Sequence, residues 1–365
     1  VSFLKETEIL DARDSVMLTK QLCNIESVSG DERHLADVIE TMLRAEAPHL
    51  SLTRNGDTIV ARTELGRARR VLIAGHLDTV PVNGNLPVRE FTDAHGHNVI
   101  WGRGTVDMKA GVAVQLVLAA ELTNPHVDIT WVWYDHEEVS SDLNGLGRTM
   151  RGAPELFIAD FAILGEPTAG TIEGGCNGTL RARVSMHGLR AHSARSWMGI
   201  NAIHRAAAIL QRLADFEAET VRVDGLDYRE SLSAVGIGGG VAGNVIPDRC
   251  DIEVNYRFAP SRSEAEAVAL VRDFFDDADE VEIIDLAPGA RPGLDDELAQ
   301  SLIEAVGAEP RAKVGWTDVA RFSALGIAAV NFGPGDPSLA HADDEQVPVA
   351  QILQTERSLR AWLNR

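Results

Sequence analysis

The apolar positions of this 365-residue chain fall into two textures. In the first, helical periodicity alternates with short unbroken apolar runs. Residues 14–24 and 31–45 carry apolar side chains at three- and four-residue spacing, which predicts helices with one inward face. Asp31 is expected to cap the second of them. Residues 58–62, 70–74, 129–134, 161–164 and 328–332 are β-branched, aliphatic or aromatic runs of strand length. The stretch 81–98, rich in Pro, Gly and Asn, is expected to be a long functional loop. A glycine-rich turn, Gly102-Arg-Gly104, then leads into an apolar helix over 112–122.

The second texture begins near residue 176. Residues 180–187 alternate as a half-buried strand does, 201–216 form an amphipathic helix, and 232–240 and 249–259 are two further strands. A helix over 263–275, opening on Ser263 with Glu266 three residues later, and a strand over 280–284 complete the run. The order β-α-β-β-α-β is that of the ferredoxin-like split motif. The fold class expected is therefore α/β. A mixed-sheet catalytic domain flanked by helices takes residues 1–175 and 289–365, and an α+β ferredoxin-like domain is inserted at 176–288.

The polar residues at the strand ends change the picture. The run 71–74 is followed by His76-Leu-Asp78, the run 129–134 by Asp135-His136-Glu137-Glu138, and the run 161–164 by Gly165-Glu166. His341 follows the run 328–332. In open α/β sheets ligands sit just beyond the carboxyl ends of strands. Turns that merely reverse the chain use Asn, Asp, Gly and Ser. Acids and imidazoles at each edge read instead as a site. Asp107 joins them at the glycine turn. There it also stands where a dinucleotide-binding loop would need its third glycine, and no Gly-Lys-Ser/Thr follows, so a nucleotide or nicotinamide site is excluded.

His76, Asp107, Glu138, Glu166 and His341 are thus candidate ligands. Two imidazoles and three carboxylates suit zinc, cobalt or manganese. Five ligands exceed the three that one catalytic zinc uses and suit two cations, with Asp107 as the bridge. Two dications and three carboxylates leave a single positive charge, which one hydroxide neutralises. Glu137 and Glu138 point different ways at a strand end, so one binds metal while the other serves as general base. Asp78 then orients His76.

Composition narrows the partners. A formal charge of −21 argues against nucleic acid and anionic membranes. Three scattered cysteines, Cys23, Cys176 and Cys250, are no disulfide framework and fit a reducing compartment. No apolar stretch is long enough to cross a bilayer, and a cytoplasmic location is expected. An anionic substrate would need local cations against the global field: Arg257, Arg195 and Lys313, with Asn244 and Thr317 as neutral donors.

The assembled motifs resemble the co-catalytic zinc aminoacylase and carboxypeptidase family. They are Gly75-His76-Leu-Asp78-Thr-Val80-Pro81, Gly102-Arg-Gly104-Thr-Val-Asp107-Met-Lys-Ala-Gly111, Glu137-Glu138, Gly165-Glu166-Pro-Thr168, Arg190-Ala-His192-Ser, Gly199-Ile-Asn-Ala-Ile203, Asn244-Val-Ile-Pro247, Tyr256-Arg257-Phe258 and Ala340-His341. The resemblance runs over nearly the whole chain. It implies two divalent ions, zinc with cobalt as the alternative. His76, Asp107 and Glu166 would hold one, and Asp107, Glu138 and His341 the other. It also implies Glu137 as general base and a homodimer formed through the inserted domain, which would serve as a lid. His192 would reach the partner's site and steady an oxyanion. The implied reaction is hydrolysis of an amide, releasing succinate from N-succinyl-LL-2,6-diaminopimelate. An acetylornithine-type deacetylase, another N-acyl amino acid hydrolase, or a metal-free binding protein of the same fold are the alternatives. The chain departs from the pattern at His136, where the family more often has Asp, and His136 is not expected to be a ligand.

Overall fold

The computed structural model describes residues 10–365. They form two compact units. The first takes the described residues up to Gly174 together with Gly293–Arg311 and Arg321–Arg365, and the second takes Gly175–Pro292 and Ala312–Ala320.

The first unit is built on an eight-stranded mixed sheet. Its strands run, edge to edge, Ser51–Asn55, Thr58–Arg62, Asp128–Tyr134, Arg70–His76, Phe161–Leu164, Ala328–Asn331, Glu173–Gly174 and Arg311–Ala312. The four strands Asp128–Tyr134, Arg70–His76, Phe161–Leu164 and Ala328–Asn331 are parallel to one another. Their carboxyl ends therefore lie on one edge of the sheet. Both faces of these strands are covered, which is why they read as continuous apolar runs rather than alternations.

Helix Lys109–Glu121 is buried from Lys109 through Ala119. Gly111, Val112, Val114 and Val117 are poor helix formers, costing up to roughly 1 kcal/mol each. Burying a Val or Leu side chain returns roughly 1.5–3 kcal/mol, so packing overrides propensity here. Helix Arg33–Glu46 buries Leu35, Ala36, Val38, Ile39, Met42 and Leu43 and leaves the opposite face to solvent. The C-terminal helix Val349–Leu363 seats Ile352, Leu359, Trp362 and Leu363 in the same core.

Two expectations fail in this unit. Asp31 does not cap the second helix: the Ncap is Glu32, which makes no side-chain cap bond. The Glu32 carboxylate is engaged elsewhere, accepting from the backbone of Gly30 and of His136. The stretch 81–98 is only partly loop. Arg89–Thr92 pairs with Asn98–Trp101, and a third strand, Gln346–Pro348, pairs with the latter. The Asp93 carboxylate accepts from the amides of His95 and His97 and closes the turn, and Gly96 supplies its positive φ of 85°.

The second unit carries a four-stranded antiparallel sheet in the order Ser231–Gly239, Arg249–Phe258, Gly178–His187, Glu280–Ala287. Helices Ala202–Ala214 and Glu264–Phe274 pack on it. Leu180, Ala182 and Val184 alternate with outward Arg181 and Arg183, and Ile252, Val254 and Tyr256 do the same on the neighbouring strand. Ser263 and Glu266 form the reciprocal capping box. The segment Ala312–Ala320 belongs here too, although the sequence pattern leaves everything after residue 288 in the first domain. Its backbone carbonyls and one side chain attach it: Asn177 N donates to Lys313 O at 3.3 Å, Cys176 Sγ to Thr317 O at 3.7 Å, and Trp316 Nε1 to Pro288 O at 3.1 Å. Cys23, Cys176 and Cys250 are buried and free. Among the described residues no helix is long and apolar enough to cross a membrane.

Candidate metal centre

His76 is the last residue of its strand and is 1% exposed. Its Nδ1 lies 3.0 Å from the backbone carbonyl of Asp78. A carbonyl only accepts, so Nδ1 carries the proton and Nε2 presents its lone pair. That Nε2 faces Asp107 Oδ1 at 3.0 Å and Glu166 Oε1 at 3.8 Å. Three acceptors converge there. Such a set holds a cation or, failing that, a second proton on the ring.

The other oxygen of Asp107 repeats the arrangement. Oδ2 lies 3.4 Å from His341 Nε2, which is 2.9 Å from Glu138 Oε2. Within each of the groups His76–Asp107–Glu166, Asp107–Glu138–His341 and His76–Glu137–Glu138, the donor atoms lie within 4.8 Å of one another. Asp107 is common to the first two. The donor set is all imidazole and carboxylate, which fits divalent zinc, cobalt or manganese.

The electrostatics of these side chains report the crowding. Burial disfavours a charge on His76, but the Asp107 and Asp78 carboxylates overcome it and raise its pKa well above the ordinary value. Hydrogen bonds to Asp107 and Glu138 push His341 up to about 10 against its partial burial. Burial opposes the charge of Asp107 as well, and the two imidazoles hold its carboxyl far below the usual range.

Close backbone approaches bring these strand ends together. A Cβ on Gly111 would sit 2.2 Å from the Gly165 carbonyl oxygen, and one on Gly333 would sit 2.3 Å from it. Only glycine lets the first turn of helix Lys109–Glu121 and the 333 loop lie against the strand end that carries Glu166. The Asp107–Met108 peptide is cis. Asp78, fully buried, accepts from the backbone amides of both Glu137 and Glu138 at 3.0 Å and from Ser29 Oγ at 2.7 Å. Burial works against its charge, yet the bonds from His76, Ser29 and the Glu137 amide keep its carboxyl below the usual range. Asp78 therefore orients His76 and also fixes the backbone beneath the Glu pair.

His136 belongs to none of the three metal-capable groups. It has a positive φ of 59° and its Nδ1 lies 2.7 Å from Asp135 Oδ2.

Four polar residues that contact the site's backbone or side chains escape the sequence pattern. Ser29 and Glu32 anchor Asp78 and the backbone of His136. Arg103 and Glu345, 4% and 0% exposed, pair at 2.9 Å. Glu345 sits in the acidic run Asp343-Asp-Glu345, which reads as surface, and the only available signal was an Arg enclosed between Gly102 and Gly104.

The remaining predicted residues lie in the second unit. His192 is exposed, and its Nδ1 accepts from Ala194 N at 3.0 Å. It pairs across a short ladder with Val245, and Ser193 N donates to Asn244 O, so His192 and Asn244 are neighbours. Arg195 is exposed in the turn after His192. Arg257 lines a cleft of about 260 Å³ with Asn177, Arg229, Glu230, Ser231 and Val314. Its Nε donates to Asn255 Oδ1 at 2.9 Å. Lys313 and Thr317 are buried, on the segment 312–320.

Residues 72–365 match the profile of peptidase family M20/M25/M40. The chain belongs to that family. A relative from Mycobacterium tuberculosis, provisionally named succinyl-diaminopimelate desuccinylase, is 55% identical over 357 residues, covering 97% of this chain and 99% of its own. The succinyl-diaminopimelate desuccinylase of Corynebacterium glutamicum is 47% identical over 360 residues, 96% of each chain. An acetylornithine deacetylase of Myxococcus xanthus is 31% identical over 80% of this chain and 79% of its own. Among solved structures, an aminopeptidase of Bacillus cereus superposes with a TM-score of 0.75 at 19% identity, covering 98% of this chain and 99% of that one. An M20-family metallo-carboxypeptidase of Sulfolobus solfataricus gives 0.75 at 16% identity, over 96% and 98%. These two share the fold of this chain.

Proposed function

We propose that this M20-family chain is a dinuclear metal-dependent amide hydrolase that removes succinate from N-succinyl-LL-2,6-diaminopimelate in diaminopimelate and lysine biosynthesis. The chemistry rests on one observation above the rest: the two oxygens of Asp107 face two separate imidazoles, each backed by its own glutamate. The substrate assignment draws support from the names of the 55% and 47% identical relatives.

In this reading His76, Asp107 and Glu166 hold one divalent cation, and Asp107, Glu138 and His341 hold a second. Zinc suits this donor set, with cobalt as the alternative. Bound there, such ions supply Lewis acidity, polarising an amide carbonyl and bringing the pKa of water toward ~7. Glu137 takes a proton from the attacking water as its oxygen bonds to the carbonyl carbon. The same carboxyl returns the proton to the amine nitrogen as the C–N bond breaks. Asp78 holds Glu137 in place through the backbone amide. His192, from a second copy of the chain, donates to the developing oxyanion.

The substrate's carboxylates call for forked donors. Arg257, set in its cleft beside Asn177 and Ser231, is the first such donor, with Arg195, Asn244 and Thr317 completing the set. The homodimer draws support from a strand that, among the described residues, pairs on one side alone. Strand Ser231–Gly239 closes one side of its sheet, with Val235 and Ile237 60% and 57% exposed. Apolar side chains bared on a strand edge favour pairing with another chain.

A side-by-side assay with N-succinyl-LL-2,6-diaminopimelate, N-acetylornithine and a dipeptide tests the substrate. The account expects kcat/KM for the succinyl compound to exceed the others by at least ~100-fold, since a site built for a carboxylate rejects analogues lacking it. Preference for acetylornithine would replace the substrate assignment and leave the hydrolytic centre standing.

A further inference from the structure

The ligand loops of Asp107 and His341 are far apart in sequence, and the strands they follow, Asn98–Trp101 and Ala328–Asn331, belong to different sheets. The pairing of Gln346–Pro348 with Asn98–Trp101 brings the two loops side by side; the ligand-bearing backbone beyond that ladder still has to be placed. Arg103 and Glu345 connect them directly. Glu345 Oε1 accepts from the amides of Val106 and Asp107 at 2.8 and 3.1 Å. Glu345 O accepts from Gly102 N at 2.9 Å. In return, Arg103 Nη1 donates to Glu345 Oε2 at 2.9 Å and to Ala342 O at 3.2 Å, and Nη2 donates to His341 O at 3.4 Å. Each loop thus sends one buried charged side chain into the backbone of the other.

A buried ion pair is weak evidence for stability, because desolvating two charges consumes most of their attraction. A hydrophobic pair would hold two loops together at lower cost. What a hydrophobic pair lacks is direction. A guanidinium spans two carbonyls and a carboxylate in fixed geometry, and a carboxylate accepts two successive amides. The backbone atoms so fixed belong to Asp107 and His341 themselves. His341 has a positive φ of 65°, a conformation that L side chains seldom adopt without outside support.

We propose that Arg103 and Glu345 are positioning residues: they lock Asp107 and His341 at the spacing that a shared cation requires, and so govern occupancy of the Asp107–Glu138–His341 site specifically. This rests on the two-cation reading above. The His76–Asp107–Glu166 group depends on the staple less, because His76 and Glu166 are anchored on other strands.

Stepwise Co²⁺ binding to the metal-stripped full chain, by calorimetry and by the visible absorption of bound Co²⁺, reads each site without reference to activity. The wild type is expected to show two binding events. Arg103→Lys keeps a charge opposite Glu345 but loses the fork. It should weaken the second event ~10–100-fold, the usual cost of removing a group that orients metal ligands, and change the first by less than ~3-fold. The double variant Arg103→Met/Glu345→Gln leaves no unpaired buried charge and should fold if the single variant does not, with the same selective loss. A second event of wild-type strength in either variant, or equal weakening of both events, would overturn the proposal, since a merely structural pair would loosen the two sites alike. A wild type that takes up one Co²⁺ per chain would sink the two-cation reading, and the staple's role would fall with it.

Discussion

At His76 one backbone hydrogen bond decides the chemistry available. The Asp78 carbonyl accepts a hydrogen bond from Nδ1–H, and the ring's Nε2 lone pair is left facing two carboxylates. The same two-residue spacing lets the Asp78 carboxylate reach past the ring to the amides of Glu137 and Glu138. Adjacent glutamates thereby acquire different tasks: Glu138 reaches His341, and Glu137 is left as the base of the proposed mechanism. Glu137→Gln keeps size and hydrogen bonding but cannot accept the proton. Turnover should fall by at least ~10²–10⁴-fold, the range for losing a positioned general base, with cation content unchanged by elemental analysis. A variant with normal kcat and full metal content would remove Glu137 from that role.

At the scale of elements, helix Lys109–Glu121 does two jobs. Its first turn packs against Gly165, and its buried first residue closes another helix. Lys109 Nζ donates to Leu22 O and Ile25 O, at the C-terminus of helix Ser15–Asn24, where carbonyls lack partners and a cation is favoured. Burial nevertheless pushes the Lys109 ammonium down to about 8 from its model-compound value of 10.5. The unfolded chain therefore binds more protons than the folded one between those two values, and this group's contribution to stability rises with pH across that window. The unfolding free energy of the wild type minus that of Lys109→Met should accordingly grow between pH 8 and 10.5 in urea titrations. A difference that shrinks with pH would show that the charged form is the stabilising one. Much of this level was legible. Strand ends marked by His, Asp and Glu, and the alternating pattern of the second unit, are local signals with a fixed period. The failures were contacts without a period. Arg103 and Glu345 lie 242 residues apart. Asp31 looked like a cap because nothing in the local sequence shows Glu32 being drawn to His136 across 104 residues. The first strand of the hairpin, Arg89–Thr92, was hidden because it is exposed along its whole length and shows no buried face.

At the scale of the whole molecule, a formal charge of −21 coexists with a proposed anionic substrate. Local guanidinium groups such as Arg257 must then do what the overall field opposes, and salt should weaken that opposition by screening it. The proposed homodimer would form along the bared edge strand Ser231–Gly239. Ile237→Asp places a charge on that edge and should convert a dimer to monomers by sedimentation velocity at micromolar concentration, with secondary structure retained. A wild-type chain already monomeric there would contradict the dimer and, with it, the assignment of His192 to a neighbouring site.

The account stands on five side chains from separate strand ends and loops forming one centre for two cations. Anomalous diffraction from crystals of the zinc-loaded protein tests it most directly. Two peaks are predicted, roughly 3.5–4 Å apart as in other two-metal sites, one among His76, Asp107 and Glu166 and the other among Asp107, Glu138 and His341. Peaks lying elsewhere, or none between these residues at saturating zinc, would contradict it.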